Sequence, residues 1–151
     1  MPCIVVGGVG GSFLPSGMNK SGNQTIPNST LTLIINWTAD TATFPGSSVS
    51  SNGLVAQRNA SAATLAVEWS VQNSGFTAVT VEVDFRVNTV SLGAPFIQSF
   101  VVDGSSTQIR TASVAGIALA EGDVVTVWAR GVSGGGTRTL QTGGWMRITQ
   151  S

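Results

Sequence analysis

The chain has 151 residues, with seven basic and seven acidic side chains, no histidine and a formal net charge of zero. This length fits one domain, and only 9% of the residues are charged, against about 25% in an average soluble domain. The basic excess of a nucleic-acid-binding protein is absent, and no apolar run reaches the roughly 18 residues of a transmembrane helix. Either other protein covers much of this weakly charged surface, or uncharged polar side chains keep it soluble.

Residues 1–22 are interpreted as an irregular N-terminal arm, followed by a domain over residues 23–151. Glycines and Pro15 prevent a regular helix in the arm. The arm is either a flexible leader or a segment laid along a neighbouring subunit. In the second case the partner contacts are its large apolar side chains, which are Ile4, Val5, Val6, Val9, Phe13 and Leu14. The start lacks a positive n-region, so no signal peptide is predicted, and the single Cys3 cannot form an internal disulfide.

Short alternating runs follow, separated by Gly, Ser, Asn and Pro at the spacing of a β-sandwich or barrel. The first strand is predicted from the apolar positions Leu31, Leu33, Ile35 and Trp37. The polar residues 40–59 are interpreted as a long connection. A second strand is predicted from Leu65, Val67, Trp69 and Val71. The sequence Asn73-Ser74-Gly75 after it has the chemistry of a hairpin turn.

The clearest strand covers residues 77–89, where apolar and polar residues alternate. We expect its odd positions to be buried together, namely Val79, Val81, Val83, Phe85 and Val87. The opposite face carries Glu82, Asp84 and Arg86, and the predicted hairpin would bring Glu68 close to them. Three uses of these carboxylates stay open: ion pairs or polar interface contacts, a calcium site, or glycoside hydrolysis.

Further strands are predicted at residues 96–102, before the turn dipeptide Asp103-Gly104, and at residues 109–119. The last part, residues 119–148, contains a turn around Gly122, an alternating strand, a glycine-rich loop near Gly134 and a final strand. The apolar positions of these last two strands are Val125, Val127, Ala129, Leu140, Met146 and Ile148. The pattern predicts about seven or eight antiparallel strands, enough for a two-sheet jelly roll.

Two of the four tryptophans are candidates for a surface role. Trp37 and Trp69 fall on apolar faces and are expected in the core. Trp128 is out of register with the apolar positions of its strand, and only one of Trp145 and Met146 can face the core. Trp128 and Trp145 are therefore candidate contacts for an interface or a ligand, with packing inside a second sheet as the alternative.

No catalytic chemistry is predicted. The lack of histidine removes the commonest general base and most zinc sites. Cys3 has no plausible base beside it, and the glycine-rich segments do not lie between a strand and a helix, as a phosphate loop requires. Because ion pairs or polar contacts are the favoured use of the carboxylates, the sequence predicts no enzyme, no metal site and no cofactor.

Two segments carry a family resemblance. Residues 119–148 begin LAEGD and continue with an alternating strand, a variable loop and a final strand. They resemble the closing hairpin of the complement globular-head and tumour-necrosis-factor-like jelly roll. The sequence NQTIPNSTLTLIINWTADT, from Asn23, is similar to the first strand region of such domains on tailed-phage virions. The middle, SGFTAVTVEVDFRVN, lacks the family's Tyr-x-Phe pattern and keeps only Phe85.

The resemblance implies an all-β, antiparallel two-sheet jelly-roll β-sandwich that forms a homotrimer. It implies a structural protein of a tailed-phage virion, made in the host cytoplasm. Its partners would be the major capsid protein, which it decorates and stabilises, or tail proteins, with no nucleic acid and no membrane. The alternative is a tail- or fibre-associated module that binds a host-surface glycan or receptor through Trp128, Trp145 and the loops around Asp103 and Gly134.

Overall fold

A computed structural model of the protein describes residues 12–150, which form two antiparallel β-sheets packed face to face. The first sheet contains β1 (Ser16–Lys20), β2 (Gln24–Ile26), β4 (Trp37–Ala39), β7 (Ala60–Asn73), β11 (Ser106–Leu119), β13 (Arg138–Leu140) and β14 (Trp145–Gln150). The second contains β3 (Thr32–Leu33), β5 (Val49–Ser50), β6 (Gly53–Val55), β8 (Val79–Val87), β9 (Val90–Ser91), β10 (Gln98–Val102) and β12 (Val124–Ser133). The predicted all-β sandwich is confirmed. Within the described residues, no helix is long and apolar enough to cross a membrane.

The long strand β7 is the centre of the first sheet. Strand β11 pairs with it on one side, and β13 and β14 lie end to end along the other side. Strands β1 and β4 continue the sheet beyond β14. In the second sheet the order is β10, β8, β12, β6 and β5, with β3 beside β12 and β9 beside β8.

The core lies between the sheets and follows the period-two alternation of the long strands. Val79, Val81, Val83 and Phe85 of β8 are fully buried, as expected, whereas Val87 at the end of that strand is half-buried. The first sheet contributes Leu65, Val67, Trp69, Val71, Met146 and Ile148. Burying a large apolar side chain is worth about 1.5–3 kcal/mol, so these strands supply much of the stability of the fold.

The predicted hairpin between β7 and β8 is wrong, because the two strands belong to different sheets. The closing segment also crosses between sheets: β12 lies in the second sheet, and β13 and β14 lie in the first. The turn residues Asn73-Ser74-Gly75 are suited equally to a hairpin and to a tight crossing, so local turn chemistry did not distinguish them.

Two short-range assignments also need correction. The strand expected over residues 31–37 is divided into β3 and β4, with Asn36 at a φ of 65° between them. This break buries Ile34 and leaves Ile35 38% exposed. The connection expected over residues 40–59 contains β5 and β6.

The boundary of the N-terminal arm lies earlier than predicted. Strand β1 begins at Ser16, and Met18 within it is fully buried, so the sandwich includes part of the interval 1–22. Phe13 is half-buried against the core and Leu14 is 40% exposed. The other candidate arm contacts, Ile4, Val5, Val6 and Val9, lie outside the described residues.

Candidate functional site

The three carboxylates considered together in the sequence are separated by the sandwich. Glu68 lies on β7 in the first sheet, whereas Glu82 and Asp84 lie on β8 in the second. Glu82 pairs with Arg130 at 2.8 Å, and Asp84 pairs with Arg86 at 2.8 Å. No metal-binding group of three His, Cys, Asp or Glu side chains occurs between residues 12 and 150. Of the three uses, the geometry shows ion pairing.

Trp128 forms a fixed platform on the outer face of the second sheet. The Arg86 guanidinium lies 4.2 Å from the centroid of the Trp128 ring. Arg86 Nε also forms an ion pair with Asp84 Oδ2 at 2.8 Å. The indole Nε1 donates a hydrogen bond to Thr126 Oγ1 at 3.1 Å. Cation–π stacking and an internal hydrogen bond therefore fix the ring in one orientation.

A groove of about 450 Å³ opens beside this platform. It is called the tryptophan groove, and its lining residues are Leu33, Ser51, Asn88, Thr89, Val124, Thr126 and Trp128. It forms where β12 changes neighbours, from β6 at Val124 and Val125 to β3 at Trp128 and Ala129. Between these two short strands the groove is lined by Val124, Thr126 and Trp128 of β12.

The outer side of the first sheet has a different character and is called the flat face. It consists of the outward side chains of β7, β11 and β14, which are Thr64, Ala66, Glu68, Ser70, Gln72, Thr107, Ile109, Thr111, Ser113, Trp145, Arg147 and Thr149. Glu68 Oε1 accepts a hydrogen bond from Trp145 Nε1 at 3.0 Å, and Arg147 pairs with Asp40 at 3.0 Å. The rest is uncharged, and Ile109 is 67% exposed.

At one end of the sandwich, called the apex, three loops are joined around the buried side chain of Asn73. Its Nδ2 donates to the carbonyl oxygens of Thr77 at 2.9 Å and Asp103 at 3.1 Å, and its Oδ1 accepts from the Gly75 N–H at 2.9 Å. Gly136 packs directly on Gly75, where a Cβ would not fit. The apex holds the loops around Asp103 and Gly134 together, and it presents Phe76 with 96% of its surface exposed.

The opposite end of the sandwich carries charge and a polar cavity of about 440 Å³. Phe13, Arg58, Asn59, Glu121 and Gln150 contribute to its lining. The Arg58–Glu121 pair is 3.7 Å apart and solvent-exposed, so its contribution to stability is small. Phe13 places the beginning of the described chain at this end.

Two titratable groups of the first sheet have shifted pKa values. Burial lowers the pKa of Lys20, whose Nζ donates to the Ile35 carbonyl oxygen at 3.0 Å. Burial alone would raise the pKa of Asp40, but hydrogen bonds from Thr43 and the nearby Arg147 guanidinium hold it below its usual value. Neither group lines the groove or belongs to the flat face.

Comparisons with known proteins identify the fold. No protein-family model and no curated protein sequence matches the chain. Eiger TNF from S. frugiperda superposes with a TM-score of 0.57 at 10% identity, over 92% of each chain. The fold is a tumour-necrosis-factor-like jelly roll. The globular domain of zebrafish complement 1qA protein gives a TM-score of 0.48 at 9% identity, over 91% of this chain and 96% of that chain. Rabbit GITRL gives 0.42 at 13% identity, over 90% and 93%.

The jelly roll places the two predicted surface tryptophans on opposite sides. Trp128 lines the tryptophan groove, and Trp145 belongs to the flat face, so they do not form one site. Sequence reasoning missed Phe76, because a lone Phe in a turn gives no periodic signal. It also missed Leu33 and Thr89 as groove residues, because their place in the same groove as Trp128 depends on strand pairing across the sheet.

Proposed function

We propose that this chain is a non-catalytic structural protein that forms a homotrimer through the flat face and serves as a capsid decoration protein of a tailed-phage virion. The flat face carries the proposal. Its charged side chains already have partners, and its remaining side chains are uncharged. Interface cores are depleted in charged residues, so this composition suits contact with another protein.

The chemistry of the flat face favours a second copy of the chain as the partner. Glu68 accepts a hydrogen bond from Trp145 and another from Thr111 Oγ1 at 3.4 Å, so its carboxylate keeps hydrogen-bond partners when water is removed. Two copies of an almost uncharged face also meet without like-charge repulsion. Ile109 supplies an exposed apolar side chain on the strand at the sheet edge.

The virion assignment rests on the resemblance of residues 23–41 to domains of phage particles. The apex supports contact with an underlying shell of major capsid protein, or with tail proteins. Phe76 is 96% exposed on the apex, and aromatic side chains are typical interaction anchors. The N-terminal arm is proposed to contact neighbouring subunits.

Adding purified protein to particles made without it tests this function. We expect saturable addition, reduced by Phe76→Ala, whereas Thr77→Ala at the neighbouring exposed position leaves occupancy unchanged. Failure of the wild-type protein to add to particles would contradict the decoration role.

Binding of a host-surface glycan or receptor is the second candidate, favoured by the half-buried Trp128 in the lining of the tryptophan groove. In that case Trp128→Ala abolishes binding on a glycan array and leaves the assembly intact. Saturable glycan binding by the wild-type protein would favour this candidate over the coat role.

A further inference from the structure

We propose that the tryptophan groove binds residues 2–9 of a neighbouring copy of this chain. The apolar side chains of that segment would pack against Leu33, Val124 and Trp128. The inference deepens the proposed function, because it rests on the proposed self-association and names the surface that receives the arm.

The lining of the groove is mostly apolar, and most of its polar side-chain groups already have hydrogen-bond partners. The Trp128 N–H is used by Thr126. Asn88 is also fully engaged, since its Nδ2 donates to Asp123 at 2.7 Å and its Oδ1 accepts from the Val124 N–H at 2.9 Å. No charged side chain lines the groove. An uncharged apolar chain segment is therefore a better match than a charged or strongly hydrogen-bonding ligand.

The rim of the groove is held by two strained hairpin turns. Ser51 lies at a φ of 49° and Thr89 at a φ of 73°, in two-residue turns that glycine would fit without strain. A β-branched residue at positive φ is uncommon, and such strain concentrates at functional sites. Because residue 89 is Thr and not Gly, a side chain lines the groove at this position.

The N-terminal sequence has the chemistry that this groove requires. Residues 1–11 lie outside the described part of the chain. They contain no charged side chain, and their apolar residues Ile4, Val5, Val6 and Val9 are separated by small glycines. An apolar segment and an uncharged apolar groove match each other.

The length and starting point of the segment allow it to reach a groove at this end of the sandwich. Eleven extended residues span up to about 36–40 Å. The described chain starts beside the cavity that Phe13, Asn59 and Glu121 line. The Glu121 N–H donates to Asn59 Oδ1, and two residues later Asp123 bonds Asn88 in the groove lining. Cavity and groove therefore open at the same end.

Cys3, the only cysteine of the chain, provides a direct test in the full-length protein. Thr89→Cys places a second thiol on the groove rim, and Thr77→Cys places one at the apex as the matched exposed control. Oxidised glutathione takes up the two electrons and two protons released as the disulfide forms. We expect interchain cross-linking in Thr89→Cys, seen on non-reducing gels, well above that in Thr77→Cys. An intrachain bond alone, or cross-linking equal to the control, would overturn the inference.

A synthetic peptide of residues 2–11 provides the second measurement, with protein lacking those residues as its receptor. The deletion ends before β1, so the sandwich keeps every strand described above. We expect peptide binding that Thr89→Glu weakens about tenfold or more and that Thr77→Glu leaves unchanged. A peptide that does not bind, or that binds both variants equally, contradicts the groove as its site. The light-scattering mass separates the two proposals: a trimer without peptide binding refutes only this inference, whereas a monomer refutes the self-association.

Discussion

The outer faces of the two sheets are built from the same alternating strands but leave very different surfaces. The second sheet carries the Glu82–Arg130 and Asp84–Arg86 pairs and the cation–π contact of Arg86 with Trp128. Its charges are satisfied within the chain. On the flat face of the first sheet, Glu68 and Arg147 are the charged side chains, and the other outward side chains are uncharged. Alternation determines which side chains leave the core, whereas the identity of the outward side chains sets the charge of each face.

The largest expected effect comes from a charge placed on the flat face. Ile109→Asp should dissociate the assembly, because burying an unpaired carboxylate costs several kcal/mol. Val101→Asp, at an exposed position on the second sheet, should leave the mass unchanged. Light scattering of both variants at micromolar concentration measures this. A dissociated Val101→Asp with an intact Ile109→Asp would reverse the assignment of the two faces.

The next effect tests the strand register that defines both faces. Phe85→Ala removes a fully buried ring and should lower the free energy of unfolding by about 3–5 kcal/mol. Val90→Ala, at an exposed position, serves as the control for chemical denaturation. A loss below about 1 kcal/mol for Phe85→Ala would show that the inward face is misassigned.

Much of this architecture follows from local sequence patterns. The predictions that were wrong have a common cause. The alternation of residues 79–87 predicted the burial of Val79, Val81, Val83 and Phe85 but not that of Asp84, and the apolar faces placed Trp37 and Trp69 in the core. Strand partners were not predictable in the same way. The turn chemistry at Asn73 is local and predicts a hairpin, whereas the choice of sheet depends on distant strands. The groove beside Trp128 also depends on such pairings.

A smaller effect concerns the apex. Asn73→Ala removes the side chain that joins three loops and leaves buried carbonyl oxygens without a donor, so it should cost about 2–3 kcal/mol. Thr77→Ala, at an exposed position of the same apex loop, is the matched control. Thermal unfolding compares the two. Equal stabilities would show that the apex loops hold their positions without the Asn73 side chain.

The smallest expected effect is a pH dependence of the free energy of unfolding, which arises from Lys20 and not from assembly. Burial holds the pKa of Lys20 below 10.5, so the unfolded state binds more protons between the lowered pKa and 10.5. The free energy of unfolding should therefore rise with pH through that interval, and Lys20→Met should remove this rise. Denaturation across that pH range measures it. If the free energy of unfolding rises with pH equally in Lys20→Met, Lys20 is not the source of the rise. If Lys20→Met changes the light-scattering mass, the assembly surface includes residues beyond the flat face.

The mass of the unmodified protein tests the central claim most directly. If the flat face joins three copies, light scattering at micromolar concentration should give three times the chain mass of 15.4 kDa. A mass equal to that of one chain would contradict self-association through the flat face.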